Sequence, residues 1–251
     1  MNDIIHPFCG LNEDGTLTHW KDPITKVDLI FPNQEVVLPN DVVKLRGGGY
    51  ICFPFGKTPK TKDYEDITLP PHGLPRTGQG LYKGRYYANP TGTSAELEYL
   101  KPWAHNIKVS IKPKDGNRTI LHSVTITKNV EFDLRAKSYL PLSLGVHPFF
   151  STNGKPFEII YGDNQFKSDG IQVDKPFFIN KVDDKKRLIL KIGNSLVIFI
   201  KLIEGYDQFC VWTDFPDKYI CVEPVTGVKD ENYHVLRDTE SMNFRCEFST
   251  K

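Results

Sequence analysis

The sequence has no excess of either charge and no long apolar run. Its 251 residues carry a formal net charge of +1, so no global field recruits nucleic acid or an anionic membrane. No stretch approaches the about 18 consecutive apolar residues that span a bilayer. The first residues, MNDIIHPFCG, lack the basic start and apolar stretch of a secretion signal. We therefore expect a cytoplasmic protein that binds neither nucleic acid nor a membrane.

Motifs for metal and redox chemistry are also missing. The five cysteines, at positions 9, 52, 210, 221 and 246, are scattered and form no CxxC pair. This pattern favours buried free thiols in a reducing compartment over a disulfide framework. No HExxH or paired CxxC spacing occurs either. We expect neither a metal nor an organic cofactor.

Methionine and helix signals are scarce, whereas aromatic residues are plentiful. Two Met stand beside 16 Phe and 11 Tyr, a balance typical of sheets. Apolar and polar residues alternate in many short segments, as over 107–112 and 124–127, and DG, NG and GN turns separate such segments. About a dozen of these segments predict antiparallel strands. The expected fold is all-β, a large antiparallel β-sandwich with little helix, formed as a single domain over residues 1–251.

Two segments contain a titratable residue in apolar surroundings, immediately before a proline. They are LSLGVHPFF, residues 142–150, with His147, and YICVEPVTG, residues 219–227, with Glu223. Proline disfavours helical geometry at the preceding residue and has no N–H to donate. Both residues should therefore be extended, at a strand end or beside a gap in strand pairing. A lone histidine is often a satisfied core residue, but a carboxylate here loses hydration unless it is paired.

Two other segments combine glycine with proline. PHGLPR, residues 71–76, holds His72 and Arg76 each directly after a proline, within an irregular stretch (54–93) that indicates a functional loop. RGGGYICFPFG, residues 46–56, lacks the spacing of a nucleotide-binding loop, and no helix is predicted after it. Its consecutive glycines favour a backbone that passes close to another strand or to a ligand.

Together these four segments resemble a known family. RGGGYICFPFG is similar to the Gly-Gly-…-CFP-x-FG segment of the aldose 1-epimerases (galactose mutarotase-like superfamily), PHGLPR to HGxxR, LGVHPFF to GxHPYF and CVEPVTG to CVEP-x-TG. They occur in the family's order over about residues 25–230. The resemblance implies a β-supersandwich with a sugar cleft and a cofactor-independent isomerase that interconverts the α and β anomers of an aldose. Tyr50 departs from the smaller Ile-Pro pair common at its position, and Phe149 from a Tyr.

The resemblance also implies roles for individual residues. They are Glu223 as general base, His147 as general acid, His72 as a second histidine near the ring oxygen, and Arg76 in the same cleft. Opening a hemiacetal takes a proton from the anomeric hydroxyl and gives one to the ring oxygen, so an acid and a base serve the reaction. Apolar neighbours should raise the pKa of Glu223, and an adjacent carboxylate should keep His147 protonated.

Flat side chains commonly stack on the apolar faces of sugar rings. The aromatic candidates are Tyr50, Phe53, Phe149, Phe150, Trp103 and Trp212. The expected substrate-binding residues are Phe149, Trp212, Arg46 and Arg76. For the aspartate with which some relatives hold sugar hydroxyls, the sequence offers Asp207 and Asp214.

Three alternatives stay open. A mutarotase for hexose 6-phosphates is the nearest, because Arg46, Lys57, Arg76 and Arg85 could pair with a phosphate. A non-catalytic carbohydrate-binding sandwich would share scaffold and aromatics without needing an acid and a base together. The stretch LYKGRYY, residues 81–87, mixes cations and aromatics as single-strand RNA binders do, although the near-neutral charge disfavours RNA. For the sugar enzyme we expect a monomer or a weak homodimer with a small-molecule sugar as its partner.

Overall fold

The computed structural model describes residues 7–54, 72–78, 81–89, 91–100, 104–130, 139–180, 187–226 and 234–251. These residues form twenty strands, one α-helix and two 3-10 turns. The strands are β1 (Cys9–Leu11), β2 (Leu17–Trp20), β3 (Gln34–Val37), β4 (Val43–Arg46), β5 (Gly49–Cys52), β6 (Leu81–Asn89), β7 (Gly92–Tyr99), β8 (His105–Lys114), β9 (Thr119–Lys128), β10 (Tyr139–Leu142), β11 (Leu144–Ser151), β12 (Phe157–Tyr161), β13 (Asn164–Lys167), β14 (Phe177–Asn180), β15 (Arg187–Ile192), β16 (Leu196–Glu204), β17 (Gln208–Trp212), β18 (Tyr219–Thr226), β19 (His234–Arg237) and β20 (Ser241–Thr250). The helix α1 spans Gly73–Thr77, and the 3-10 turns span Asp115–Asn117 and Ser168–Gly170.

Most strands belong to two large antiparallel sheets. A seven-stranded sheet has the order β1-β2-β5-β11-β18-β17-β14, and a nine-stranded sheet the order β13-β12-β15-β16-β20-β9-β8-β7-β6. Two small ladders, β3–β4 and β10–β19, accompany them. The expected antiparallel all-β sandwich with little helix is confirmed, with more strands than the sequence patterns indicated. Among the described residues, no helix has the length and apolar character of a membrane span.

The nine-stranded sheet has one buried face, as its alternating sequences predict. In β8, Ile107, Val109 and Ile111 are fully buried, while the residues between them are exposed or half-buried. The two sheets pack face to face through such residues. Phe150 of β11 lies 5.8 Å, ring centre to ring centre, from Phe248 of β20. This interface forms the main core.

The central strands of the seven-stranded sheet are buried on both faces. Every residue of β11 and of β18 is buried. One face belongs to the sandwich core, and the opposite face, which we call the far face, carries a second apolar cluster. The members of that cluster are Phe31, Val36, Leu38, Tyr50, Cys52, Phe149, Tyr219 and Cys221. The β3–β4 ladder contributes Val36 to this cover, so the far face is sheltered from water.

The structure tests several expectations about the stretch 54–93 and the cysteines. The stretch 81–87, considered for RNA binding, lies in β6 at the edge of the nine-stranded sheet. The irregular stretch 54–93 is therefore not a loop throughout. Its residues 81–89 form the edge strand β6, which has β7 as its pairing partner. Residues 55–71, with Lys57, and Trp103 lie outside the described residues. All five cysteines are buried and none of them forms a disulfide bond, as expected.

Candidate active site

His147 and Glu223 lie in the middle of neighbouring strands. His147 is in β11 and Glu223 in β18, and the ladder joins these strands on both sides of them, at the pairs Gly145–Val225 and Phe149–Cys221. Within these fully described strands, no ladder pair joins residues 146–148 to residues 222–224. The expectation of a strand end is therefore wrong, and the expectation of a pairing gap is confirmed. Pro148 and Pro224 lack the N–H groups that a continuous ladder uses.

The gap brings the two side chains into contact on the far face. His147 Nε2 lies 3.3 Å from Glu223 Oε1. The residues are only 4% and 2% exposed, so water screens this contact little. Opposed positions on adjacent antiparallel strands have their Cβ atoms close together, which explains why residues 76 positions apart meet.

Burial is the main influence on the protonation of both groups. It raises the pKa of Glu223 well above its ordinary value, as expected. It also lowers the pKa of His147 well below its ordinary value, and the neighbouring His72 and Arg76 act in the same direction. The expected protonated His147 is therefore wrong, because burial and nearby positive charge oppose the imidazolium. The site favours a neutral carboxylic acid beside a neutral imidazole, a pair with one transferable proton.

The helix α1 brings His72 and Arg76 to this face. Its first residue, Gly73, has φ +80°, and a Cβ atom there would lie 2.2 Å from the carbonyl oxygen of Phe53. The amide of Leu74 donates a 2.8 Å hydrogen bond to that same oxygen. Only glycine allows so close an approach with this backbone conformation. The glycine of PHGLPR thus fixes α1 against the end of β5.

His72 stacks on the buried histidine. Its ring lies 5.3 Å from that of His147, with an interplanar angle of 26°, and 5.7 Å from that of Tyr50. The residue nevertheless keeps an exposed side. Loss of hydration, followed by the charges of Arg76 and Arg46, lowers the pKa of His72 to about 4. At neutral pH it is therefore a neutral imidazole at the open side of the site.

Tyr50, which departs from the family pattern, connects the histidines to Arg76. Its ring stacks on His147 at 4.7 Å and 24°. The guanidinium of Arg76 lies 3.7 Å from the centre of the same ring, a cation–π contact. Arg76 Nη2 also donates to the carbonyl oxygen of Leu45 at 3.3 Å. Tyr50 therefore fixes both the buried imidazole and a cation near it.

The preceding glycines meet the expectation of a close backbone approach. A Cβ atom on Gly47, which has φ +108°, would lie 2.1 Å from the carbonyl oxygen of Pro32. The amide of the next residue, Gly48, donates 2.8 Å to the carbonyl of Phe31. These glycines therefore pack tightly against another backbone segment, as expected. They lie between Arg46 and Tyr50, two residues of the candidate site.

A second ionic cluster borders the first. Arg46 Nη2 and Nε donate to Asp214 Oδ2 at 2.6 and 3.1 Å. The hydroxyl of Tyr219 donates to Oδ1 of the same carboxylate. Asp214 is 4% exposed, so both its oxygens are buried and engaged. In this structure it holds Arg46 in position, and a sugar hydroxyl would compete with these bonds.

The aromatic candidates divide between the two faces of the sheet. Phe149 is buried on the far face, 4.9 Å from His147. Trp212 is half-buried there, its ring edge-on to His147 at 5.8 Å, and its Nε1 donates to Asp174 at 3.3 Å. Phe53 and Phe150 belong to the main core instead. Side-chain alternation along a strand accounts for the division.

All seven expected site residues thus lie around one part of the far face. They are His72, His147, Glu223, Arg46, Arg76, Phe149 and Trp212. Asp207 is exposed immediately before β17, and its amide donates to the carbonyl of Val225. Sequence reasoning missed Tyr219 and Cys221 as site residues. Both alternate with Glu223 along β18, and this period of two was a signal that could have identified them.

Comparison with known proteins gives matches only at the level of structure. No protein-family model and no curated protein matches the chain. A galactose mutarotase-like protein from Lactobacillus casei ATCC 334 matches with a TM-score of 0.70 and 13% identity, over 97% of this chain and 96% of that one. A galactose mutarotase related enzyme from Lactobacillus acidophilus matches with a TM-score of 0.66 and 12% identity, over 97% of each chain. A protein from Escherichia coli K12, named as a candidate aldose 1-epimerase, matches with a TM-score of 0.63 and 10% identity, over 95% and 93%.

At such low identity, these similarities establish the fold. The chain has the galactose mutarotase-like fold, a sandwich of antiparallel sheets with almost no helix. The fold that the resemblance of the four sequence segments implies is thereby confirmed. The matches span nearly the whole of both chains, so the likeness concerns the complete sandwich and not one part of it.

Proposed function

We propose that this protein is an aldose 1-epimerase that interconverts the α and β anomers of an unphosphorylated aldose. The observation that carries the proposal is the buried contact of 3.3 Å between His147 Nε2 and Glu223 Oε1. An imidazole and a carboxyl group that exchange one proton match the chemistry of hemiacetal opening. The names of the structural neighbours from L. acidophilus and E. coli support this direction.

The protons that His147 and Glu223 can exchange suit a reversible reaction. Ring opening removes the proton of the anomeric hydroxyl and protonates the ring oxygen, and ring closure reverses both transfers. Glu223 as carboxylate takes the first proton while His147 as imidazolium gives the second. Burial favours the neutral forms of both groups, so the pair begins one internal proton transfer away from this arrangement. A bound sugar, by entering between the two groups, replaces their mutual contact.

The residues around the pair have supporting roles in this proposal. His72, neutral at pH 7, offers one N–H donor to the ring oxygen from the open side of the site. Trp212 presents a half-buried ring on which an apolar sugar face can stack. Arg76, fixed above Tyr50, has further N–H groups for hydroxyls. Phe149, at 1% exposure, serves as packing beneath His147.

The charges favour an unphosphorylated substrate. Arg46 is already neutralised by Asp214. Arg85 lies in β6 of the nine-stranded sheet, and Lys57 is outside the described residues. Of the four cations considered for a phosphate, Arg76 is the one that the far face offers without a carboxylate partner among the described residues. A bidentate arginine can recognise a phosphate, but the described part of this face provides Arg76 alone for that purpose.

The test follows the equilibration of freshly dissolved α-glucose, α-galactose and glucose 6-phosphate by polarimetry or anomeric proton NMR. The wild-type protein should accelerate one of the free aldoses, and Glu223→Gln should abolish the acceleration. Glu96→Gln, which removes an exposed carboxylate from the other sheet, is the matched control and should keep full activity.

Other outcomes would replace the proposal with a specific alternative. Acceleration with glucose 6-phosphate alone would establish the phosphosugar enzyme. Saturable NMR shifts of a sugar without acceleration would establish a carbohydrate-binding sandwich. Acceleration that survives Glu223→Gln would contradict the assigned acid–base pair.

A further inference from the structure

Three side chains of metal-ligand type meet on the far face. A ring nitrogen of His147, Sγ of Cys221 and a carboxylate oxygen of Glu223 all lie within 4.8 Å of one another. The three residues are 4%, 0% and 2% exposed. We propose that this triad binds a soft divalent cation such as Zn²⁺ or Cd²⁺, and that the bound ion blocks the acid–base pair.

The spacing of the donor atoms suits tetrahedral coordination. Nitrogen and oxygen ligands about 2.1 Å from a tetrahedral zinc lie about 3.4 Å from each other. His147 Nε2 and Glu223 Oε1 are 3.3 Å apart before any ion enters. Tetrahedral sulfur would lie about 3.5 Å from the nitrogen, so the Cys221 thiol needs to approach by little more than about 1 Å. Rotation of one side-chain bond supplies such a movement.

The charge of the triad matches a divalent ion. A thiolate and a carboxylate together neutralise two positive charges, and the imidazole adds none. The complex is therefore neutral overall, which suits a buried site because unpaired buried charges are costly. Metal ions bind the deprotonated forms of a thiol and of a carboxylic acid. A cation that binds to the triad therefore displaces the protons of Cys221 and Glu223.

The chemistry of the donors selects the kind of ion. Thiolate and imidazole favour zinc-like cations, whereas Mg²⁺ and Ca²⁺ require several oxygen ligands. Another thiol is also near, because Cys210 is the ladder partner of Glu223 in β17. Cys210 therefore shares the face, although its Sγ is not one of the three ligand atoms that lie within 4.8 Å of one another.

The binding of the ion is independent of the proposed function, whereas its inhibitory effect rests on it. An ion between His147 and Glu223 would occupy the position through which their proton passes. The same ion would make Glu223 unavailable as a base. Direct binding must therefore be measured separately from activity.

The first test is a Cd²⁺ titration of the full-length protein, followed by the ultraviolet charge-transfer absorption of cadmium–thiolate bonds. Wild type should gain this absorption with a single Cd²⁺ per chain, and Zn²⁺ should compete for the site. Cys221→Ser should lower the affinity at least about tenfold, since even outer-shell changes cost that much in metal sites. Cys246→Ser is the matched control, since Cys246 is a buried free cysteine in the main core. It should bind as wild type does.

Several results would overturn the proposal. They are no cadmium–thiolate absorption in wild type, unchanged affinity in Cys221→Ser, or equal binding of Mg²⁺. Thermal melts establish that each variant is folded, and Glu223→Gln, with one ligand oxygen replaced by an amide, provides a second variant that should also bind weakly. If the wild type has epimerase activity, Zn²⁺ should inhibit it, and Cys221→Ser should need at least about tenfold more Zn²⁺. If it has none, the absorption titration still decides the metal site, so failure of the two proposals can be told apart.

Discussion

Every residue of β11 and β18 in the seven-stranded sheet is buried, whereas β8 and β9 in the nine-stranded sheet alternate between buried and more exposed residues. The nine-stranded sheet has charge pairs at its surface, such as Lys108–Glu96, with side chains 59% and 38% exposed. The far face of the seven-stranded sheet instead has sheltered pairs. His147–Glu223 lies within the sheet, with side chains 5% and 3% exposed, and Arg46–Asp214 joins β4 to the segment after β17. Charged groups of the nine-stranded sheet are therefore in contact with water, whereas those of the far face are buried.

The difference explains why chemistry is expected on only one sheet. In water, an ion pair exchanges its partners for solvent at little cost. On the sheltered face, the loss of hydration shifts the pKa of Glu223 upward and that of His147 downward. A buried polar contact also keeps its geometry, because moving one partner leaves the other without hydrogen bonds. The following predictions test this contrast, from the largest expected effect to the smallest.

The first prediction compares one buried histidine from each sheet. His147→Gln should lower kcat for the anomerisation about 10²- to 10⁴-fold, the usual contribution of a positioned acid or base. His122→Leu, in β9 of the nine-stranded sheet, should leave kcat at pH 7 within about twofold, because its pKa is lowered to about 4 by burial and it is neutral there. Polarimetric rates of both variants check this. A wild-type kcat in His147→Gln would contradict a catalytic role for His147.

The second prediction compares the two ion pairs. Asp214→Asn should lower the free energy of unfolding by about 3 kcal/mol, because Arg46 loses its buried partner and Tyr219 its acceptor. Glu96→Gln, at the exposed pair, should change it by less than about 1 kcal/mol. Urea denaturation measures both. Replacing Arg46 with Met in the Asp214→Asn background should recover part of the lost free energy of unfolding. No recovery would mean that the unpaired charge of Arg46 does not cause the loss.

The third prediction concerns His122, whose two ring nitrogens have no hydrogen-bond partner among the described residues. Burial lowers its pKa to about 4 in the folded protein, while the unfolded chain titrates near 6.5. Between these values the unfolded chain binds more protons, so the free energy of unfolding falls on acidification, by about 3 kcal/mol in full.

His122→Leu should remove this contribution. Its free energy of unfolding should decline less than that of wild type between pH 6.5 and pH 4, as measured by urea denaturation at several pH values. Above pH 7 the unfolding free energies of the two proteins should depend on pH in the same way. Parallel curves for the two proteins throughout this range would show that His122 is not the group responsible.

The fourth prediction compares the two glycines at the ends of α1. Gly73→Ala should lower kcat/KM about tenfold, because its Cβ would meet the backbone of Phe53 and displace His72. Gly78→Ala should have less than a twofold effect, since a Cβ there meets no described atom within 4 Å, although the left-handed φ still costs about 1 kcal/mol locally. Rate measurements, with circular dichroism as a check on folding, compare the two. Equal activities would mean that the position of α1 is unimportant.

Strand content was predictable because it depends on local patterns. The alternation of Ile107, Val109 and Ile111 with polar residues correctly predicted a half-buried strand. Strands with a weaker pattern, such as β1 and β2 near the N-terminus, were missed. The stretch 81–87 has charged and aromatic residues mixed without a clear period, and it forms β6 because β7 provides the pairing partner. Long-range pairing was the information that the local pattern did not contain.

The candidate site was predictable as a set of residues but not as an electrostatic environment. Pro148 and Pro224 correctly indicated a gap in pairing beside His147 and Glu223. The sequence did not reveal that the gap lies at mid-strand, where burial is complete. The expected protonation of His147 therefore failed, because its pKa depends on neighbours from other elements, among them His72 and Arg76.

By itself, the sequence determined that this chain forms antiparallel strands with free buried thiols and bears an extended histidine and glutamate before prolines. These features follow from side-chain volume, period and backbone restriction, which act over a few residues. The tertiary structure decided which residues share a face. It joined His147 to Cys221 and Glu223, turned Phe150 to the core, and engaged Asp214 with Arg46. Such contacts arise only when strands distant in sequence pair and exclude water, and the protonation of the site follows from them.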